Sequence, residues 1–187
     1  VAYEAHVEAG LALMNFDIPK AEKLCKSAIE TIGKQLGDCN LIMINTLNDY
    51  AIVHHVKRQF KLGDSLVSKS LKCGQGLFVE NDMRIMAAHN MIGAFSDDRG
   101  YSRKAVRHYR AALAIMEDNG LKDTYDYARI LNNLANALYD EGGALNAIEI
   151  LQQSIAITEH SDDYKNNLIN AYYNIANMFY SIGYRNK

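Results

Sequence analysis

Ala9, Ala51, Gly93 and Ala135 stand 42 residues apart, and Ala176 follows after 41. A fixed period of this length constrains a chain more than any local propensity, because each unit must then fold alike and bury its apolar face on its neighbours. Two further small-residue columns keep the same phase: Ala21, Gly63, Ala105 and Ala147, then Ala28, Ser70, Ala112 and Ser154. Bulky side chains recur beside them, with Cys25, Val67, Tyr109 and Leu151 in one column and Ile29, Leu71, Leu113 and Ile155 in the next. Each repeat thus holds two amphipathic segments, with one small residue in the first and two in the second. Small side chains let two helices approach closely, so the pattern predicts a tight antiparallel helix pair. Turn residues separate the segments at Asp98-Arg99-Gly100, Glu141-Gly142-Gly143 and Gly183, while Arg58 stands where the second copy would place its glycine. Pro19 falls in the first turn of a helix, where its missing N–H is harmless. The expectation is an all-α fold, an α-solenoid of antiparallel helix pairs, with four full repeats and a fifth first helix. One proline in 187 residues agrees with long helices.

These columns resemble the tetratricopeptide repeat (TPR) family. Leu134-Ala135, Leu138, Gly142, Ala147, Leu151 and Ser154 match its pattern in the fourth copy, as do Ile92-Gly93, Gly100, Ala105, Tyr109 and Ala112 in the third. The fifth copy supplies Ile175-Ala176, Phe179 and Gly183; the first and second depart, with Glu8 and Tyr50 in place of the usual leucine. The 42-residue unit resembles the longer-helix variants of kinesin light chains and of bacterial Rap/PlcR-type peptide receptors, and the resemblance implies a right-handed α-solenoid. HEAT and armadillo repeats share the period but not the small-residue register, and a WD40 propeller would need strand alternation. The resemblance covers residues 1–187 as one TPR domain, with repeats at about 1–36, 40–78, 82–119, 123–160 and 163–187. A start at Val1 without methionine predicts a piece of a longer protein.

The resemblance implies a concave groove lined by the second, fifth, sixth, ninth, twelfth and thirteenth positions of each repeat. The second position is Tyr3, Asn45, Ala87, Arg129 and Asn170; the fifth is His6, Asn48, Asn90, Asn132 and Tyr173. The sixth is Val7, Asp49, Met91, Asn133 and Asn174; the ninth is Gly10, Ile52, Ala94, Asn136 and Asn177. Nine of the 17 asparagines fall in these columns. Asparagine is a poor helix-interior residue, but its amide offers an acceptor and two donors and can pair with the N–H and C=O of an extended peptide. The expected contact set is therefore Asn45, Asn48, Asp49, Asn90, Arg129, Asn132, Asn133, Asn136, Tyr139, Asn170, Tyr173, Asn174 and Asn177. Some of these amides could instead bridge neighbouring repeats or face water. Sequence preference would come from Ile52, Met91, Ala94, Tyr139, Tyr173 and Tyr180 between the rows.

Charge narrows the partner. The net charge of −2 and the absence of a basic excess argue against nucleic acid. Arg103, Arg107 and Arg110 share one face of a helix and read as a solvated convex surface. Arg129 alone among the groove columns could clamp a terminal carboxylate. Asp49, Asp97, Asp98 and Asp140 favour a neutral or mildly basic segment instead.

No GxSxG, P-loop or HExxH pattern is present, so the expectation is no enzyme, no cofactor and no metal. His54 reads as a packed histidine, and His108 and His160 as loop or outer-face residues. A hydrolytic role would need a pocket joining His55 to Asp49 or Asp97. Cys25, Cys39 and Cys73 lack paired spacing and predict reduced thiols in a cytoplasmic protein. No apolar run is long enough to cross a membrane, so no membrane partner is expected. The expected partner is a protein or peptide, held on a scaffold or adaptor or, alternatively, sensed by a Rap/PlcR-like regulatory domain. Apolar residues in the last helix, Tyr172, Ile175 and Phe179 among them, predict self-association through an uncapped carboxy-terminal end.

Overall fold

The computed structural model describes residues 1–159 and 165–185. Among these it contains nine helices: α1 (Ala2–Met14), α2 (Ile18–Leu36), α3 (Leu41–Val56), α4 (Phe60–Leu77), α5 (Met83–Asp97), α6 (Ser102–Asp118), α7 (Tyr125–Asp140), α8 (Ala144–Thr158) and α9 (Lys165–Arg185). The chain divides into two compact units, Val1–Ala88 and His89–Lys187. In the first, α1 packs on α2, α3 on α4, and α1 also on α3; in the second, α7 packs on α6, α8 and α9, and α8 on α9. The repeat ends predicted near residues 160 and 163 lie outside the described residues.

The helix starts follow elementary capping. Asp17 accepts from the Lys20 N–H at 3.1 Å, Asn40 from Met43 at 2.9 Å and Thr124 from Tyr127 at 3.3 Å, each satisfying a first-turn donor that the helix leaves open. The turns inside the pairs share one geometry. Phe16, Arg58, Gly100 and Gly142, each 42 residues from the next, all have positive φ, at 56°, 58°, 73° and 93°. The N–H groups of Phe16, Arg58, Gly100 and Gly142 bond to Leu13, His55, Asp97 and Tyr139. Those of the following residues reach Ala12, His54, Ser96 and Leu138, closing the paired bonds of a Schellman end. Two of the four positions therefore hold side chains in the left-handed region, at a cost of about 1 kcal/mol each. Arg58 keeps the glycine's conformation without being glycine, because packing of α3 on α4 dictates the turn.

The small-residue columns are the contact lines. Ala9, Ala51, Ala135, Ala21, Ala105 and Ala147 are wholly buried. A Cβ on Gly63 would meet the Ala51 carbonyl oxygen at 3.2 Å, so α3 and α4 touch backbone to backbone at this point. In the last column Ser70 Oγ donates to the Ile44 carbonyl at 3.4 Å and Ser154 Oγ to Ala128 at 2.8 Å. A hydroxyl there is tolerated because it satisfies itself on the partner helix. The core of the first unit gathers Ala2, Ala28, Ile32, Met43 and Leu47 at one end and Ala12, Ala21 and Val53 at the other.

The cysteines correct the sequence expectation. Cys39 and Cys73 form a disulfide, with Cα atoms 5.5 Å apart and a sequence separation of 34. Folding brings the α2–α3 connection against the end of α4, a proximity that spacing along the chain does not reveal. Cys25 remains a thiol; burial, then the nearby Asp49 carboxylate, pushes its pKa up to about 12. Such a thiol is inert as a nucleophile.

Candidate functional site

In the first unit, α1 and α3 enclose an open groove of about 440 Å³ lined by His6, Val7, Gly10, Leu11, Met14, Asn45, Asn48 and Asp49. All but Leu11 occupy second, fifth, sixth, ninth or thirteenth positions. Small residues draw α1 onto α2 and α3 onto α4, which turns the opposite stripes of α1 and α3 toward this groove. Asn45 is exposed, and Asn48 and Asp49 are half-buried. The Asn48 Oδ1 atom is buried and accepts no hydrogen bond. Burial raises the Asp49 pKa, and the nearby His6 ring opposes that rise. The closest approach of the pair, His6 Nδ1 to Asp49 Oδ2, is 3.7 Å, too long for a hydrogen bond.

The second unit carries Asn90, at the same repeat position as Asn48, and its Oδ1 is likewise buried without a donor. Asp97 is half-buried; burial first, then the charges of Asp140 and Asp98, push its pKa up to about 6. Arg129 is ion-paired to Asp126 on its own helix at 3.2 Å. Asn133, Asn136 and Tyr139 are half-buried, while Asn170, Tyr173 and Asn177 are exposed on α9.

Asn132 departs from the expected role of a rung open to a ligand. It is 5 % exposed. Its Nδ2 donates to Asn167 Oδ1 at 3.3 Å and its Oδ1 accepts from Asn174 Nδ2 at 3.1 Å. Asn167, also buried, donates onward to Ser154 Oγ at 3.2 Å. The network ties α7, α8 and α9 together. An amide covered by a neighbouring helix must find its partners there, since an unpaired buried one costs about 1–3 kcal/mol. Sequence reasoning missed Asn167, which lies outside every groove column; its one signal is an asparagine inside a helix.

The histidines sort similarly. His54 is packed, as expected, with Nδ1 2.6 Å from Gln59 Oε1 and its ring against Tyr50. His108 is half-buried on α6 rather than on an outer face, its Nδ1 2.9 Å from His89 Nδ1. Burial, then His89, pushes the His108 pKa down to about 4, so the pair shares one N–H between two neutral rings. His55 packs on Phe60 and does not line the α1–α3 groove. His160 lies outside the described residues. Lys57 is held by Glu22 at 2.7 Å and Arg103 faces Glu141 at 3.5 Å, which shortens the basic surface available to phosphates. Among the described residues no helix is long and apolar enough to cross a membrane.

Comparison with known proteins supports the fold through structure alone. No family model and no curated protein matches the sequence. Among solved structures, a putative kinesin light chain of Podosopora anserina with nearly identical TPR-like repeats superposes with a TM-score of 0.82 at 16% identity, over 98% of this chain and 87% of that one. BtubC (BKLC) from P. vanneervenii gives 0.78 at 19% identity, over 82% of this chain and 61% of that one. A Rap protein solved in complex with competence and sporulation factor gives 0.72 at 17% identity, covering 99% of this chain but 50% of the Rap chain. The fold is therefore that of TPR-like repeat proteins.

Proposed function

We propose that the chain is a non-enzymatic scaffold that holds an extended protein or peptide segment against the asparagine-bearing faces of its first helices, residues 1–187 acting as one TPR domain. The observation that carries this is the pair Asn48 and Asn90. Both place a buried, unpaired amide oxygen at the same repeat position, and an orphaned acceptor of this kind is stabilised when a ligand N–H arrives. Asn45, Asp49, Asn133, Asn136, Tyr139, Asn170, Tyr173 and Asn177 complete the contact set. Asn132 and Asn174 support it from inside.

A panel of capped, fluorescently labelled extended peptides tests this by anisotropy. Asn48→Ala and Asn90→Ala are each expected to weaken the best binder about threefold to tenfold, the worth of one hydrogen bond. Asn132→Ala should lower the unfolding midpoint instead, because it strands Asn167 and Asn174. Unchanged affinity in both groove variants would remove the reading. A second role, a peptide-sensing regulatory domain, draws support from the Rap protein solved with its factor. It requires that a short peptide alter the chain's dimensions in scattering, which a passive scaffold does not.

The carboxy-terminal end is proposed to self-associate. On α7, Ala128, Leu131, Ala135 and Leu138 are buried; their counterparts 41 residues on, Ile169, Tyr172, Ala176 and Phe179, are exposed, the three large ones to 63, 54 and 55 %. The face that α7 covers with α8 is uncovered on α9. Sedimentation should show concentration-dependent dimers that Tyr172→Glu abolishes, and a monomer at several hundred micromolar would refute this. A cytoplasmic setting is also proposed, which fractionation of the source cells reads directly.

A further inference from the structure

The geometry points to a basic side chain as the group received by the α1–α3 groove, a lysine or arginine of the bound segment whose cationic head meets Asp49. This rests on the groove reading above and adds the partner's chemistry.

The hydrogen-bond role of the His6 Nδ1 atom follows from its neighbours. Thr46 Oγ1 lies 2.8 Å from the Ile42 carbonyl and donates its one proton there. The contact of 3.2 Å between Thr46 Oγ1 and His6 Nδ1 then requires His6 to donate from Nδ1. That N–H is committed to Thr46, so the imidazole gives Asp49 no hydrogen bond. The Asp49 carboxylate is left half-buried, its side chain 25% exposed, with the His6 ring 3.7 Å away as its ion-pair neighbour but no hydrogen bond to it. Gly10 stands opposite, where even a Cβ would come no closer than 3.7 Å to Asp49 Oδ2. The small residue leaves that oxygen approachable from the groove.

The other walls fit the rest of such a side chain. Val7, Leu11 and Met14, at i, i+4 and i+7, present one apolar stripe of α1 that lines the groove and stays partly exposed. Methylene stems of lysine and arginine lie along apolar surface of this kind while the head keeps a polar partner. Asn48 lines the same groove, its Oδ1 buried beneath the surface without a donor. No lysine or arginine lines it, so an anionic group would meet the Asp49 charge with no cationic side chain to offset it. No group of three metal-ligating side chains occurs among the described residues, and one carboxylate does not make a cation cage.

The test is an NMR titration of the full chain at pH 7 with two peptides. One is an acetylated, amidated, extended peptide with a single central lysine; its twin carries norleucine there. The lysine peptide is expected to bind about tenfold tighter, the effect of a hydrogen bond to a charged group, with shifts at Gly10, Asn45 and Asn48. Asp49→Asn should erase the preference, the lysine peptide then binding no more tightly than its norleucine twin. Gly10→Ala, which sets a methyl before Oδ2, should reduce the preference while circular dichroism stays that of the parent. Equal affinities with shifts in the groove would overturn the basic-side-chain assignment and leave the groove reading intact. No shift from either peptide at millimolar concentration would overturn both. A preference that survives Asp49→Asn would place the cation elsewhere and overturn the assignment alone.

Discussion

Gly93→Ala is expected to destabilise the second unit by up to about 2 kcal/mol, and Tyr109→Leu in the same chain to restore most of that loss. A Cβ at residue 93 would stand 2.7 Å from Cδ1 and Cε1 of Tyr109 and 3.1 Å from its Cζ. Tyr109 is 1 % exposed and has nowhere to retreat. Overpacking of this kind costs about 1–3 kcal/mol, and the better helix propensity of alanine returns just under 1, so the steric penalty wins. The sequence columns explain why the rescue should work. Where the bulky column holds Cys25, Val67 or Leu151, the small column holds alanine; the one tyrosine coincides with the one glycine. The double variant recreates the alanine–leucine pairing of Ala135 and Leu151. Chemical denaturation of the four chains gives the coupling energy directly. Additive effects would mean that the two positions do not compensate.

Breaking the Cys39–Cys73 bond is the second large effect. With 34 residues of separation, closing the loop restricts the unfolded chain enough to stabilise the first unit by about 2–4 kcal/mol. Reduction, or Cys39→Ser, should therefore lower its unfolding free energy by that amount. Hydrogen exchange should quicken across α2, α3 and α4 while the α7–α8 amides keep their protection. Cys39 is the better site to substitute because it is exposed, whereas Cys73 is buried and its replacement would disturb packing as well. Exchange rates that are the same in oxidised and reduced protein would show that the bond constrains nothing the helices do not already fix.

The groove predictions depend on smaller energies than these. Asn48 and Asn90 each offer one unpaired oxygen, and single hydrogen bonds amount to about 1 kcal/mol. The observable is accordingly a change in affinity rather than a loss of fold. Asn132 separates the two kinds of outcome, since its amide is spent on Asn167 and Asn174 and its removal registers in stability.

Periodicity alone determined the helix pairs, their antiparallel order and the columns along which they touch. A small side chain at a fixed phase can be buried in only one way against a second helix. The family resemblance, rather than the phase alone, put His6, Val7, Gly10, Asn45, Asn48 and Asp49 in groove columns, and these residues line one open groove of the first unit. The tertiary structure decided what depends on distant partners. The fate of Asn132 turns on Asn167, 35 residues away and outside the repeat columns. The pairing of Cys39 with Cys73, the His89–His108 contact and the left-handed turn at Arg58 are likewise properties of neighbours brought together by folding. A repeat fixes which way a side chain faces, because that follows from backbone phase. Whether the side chain is then paired or free follows from what packs against it, and no position records that by itself.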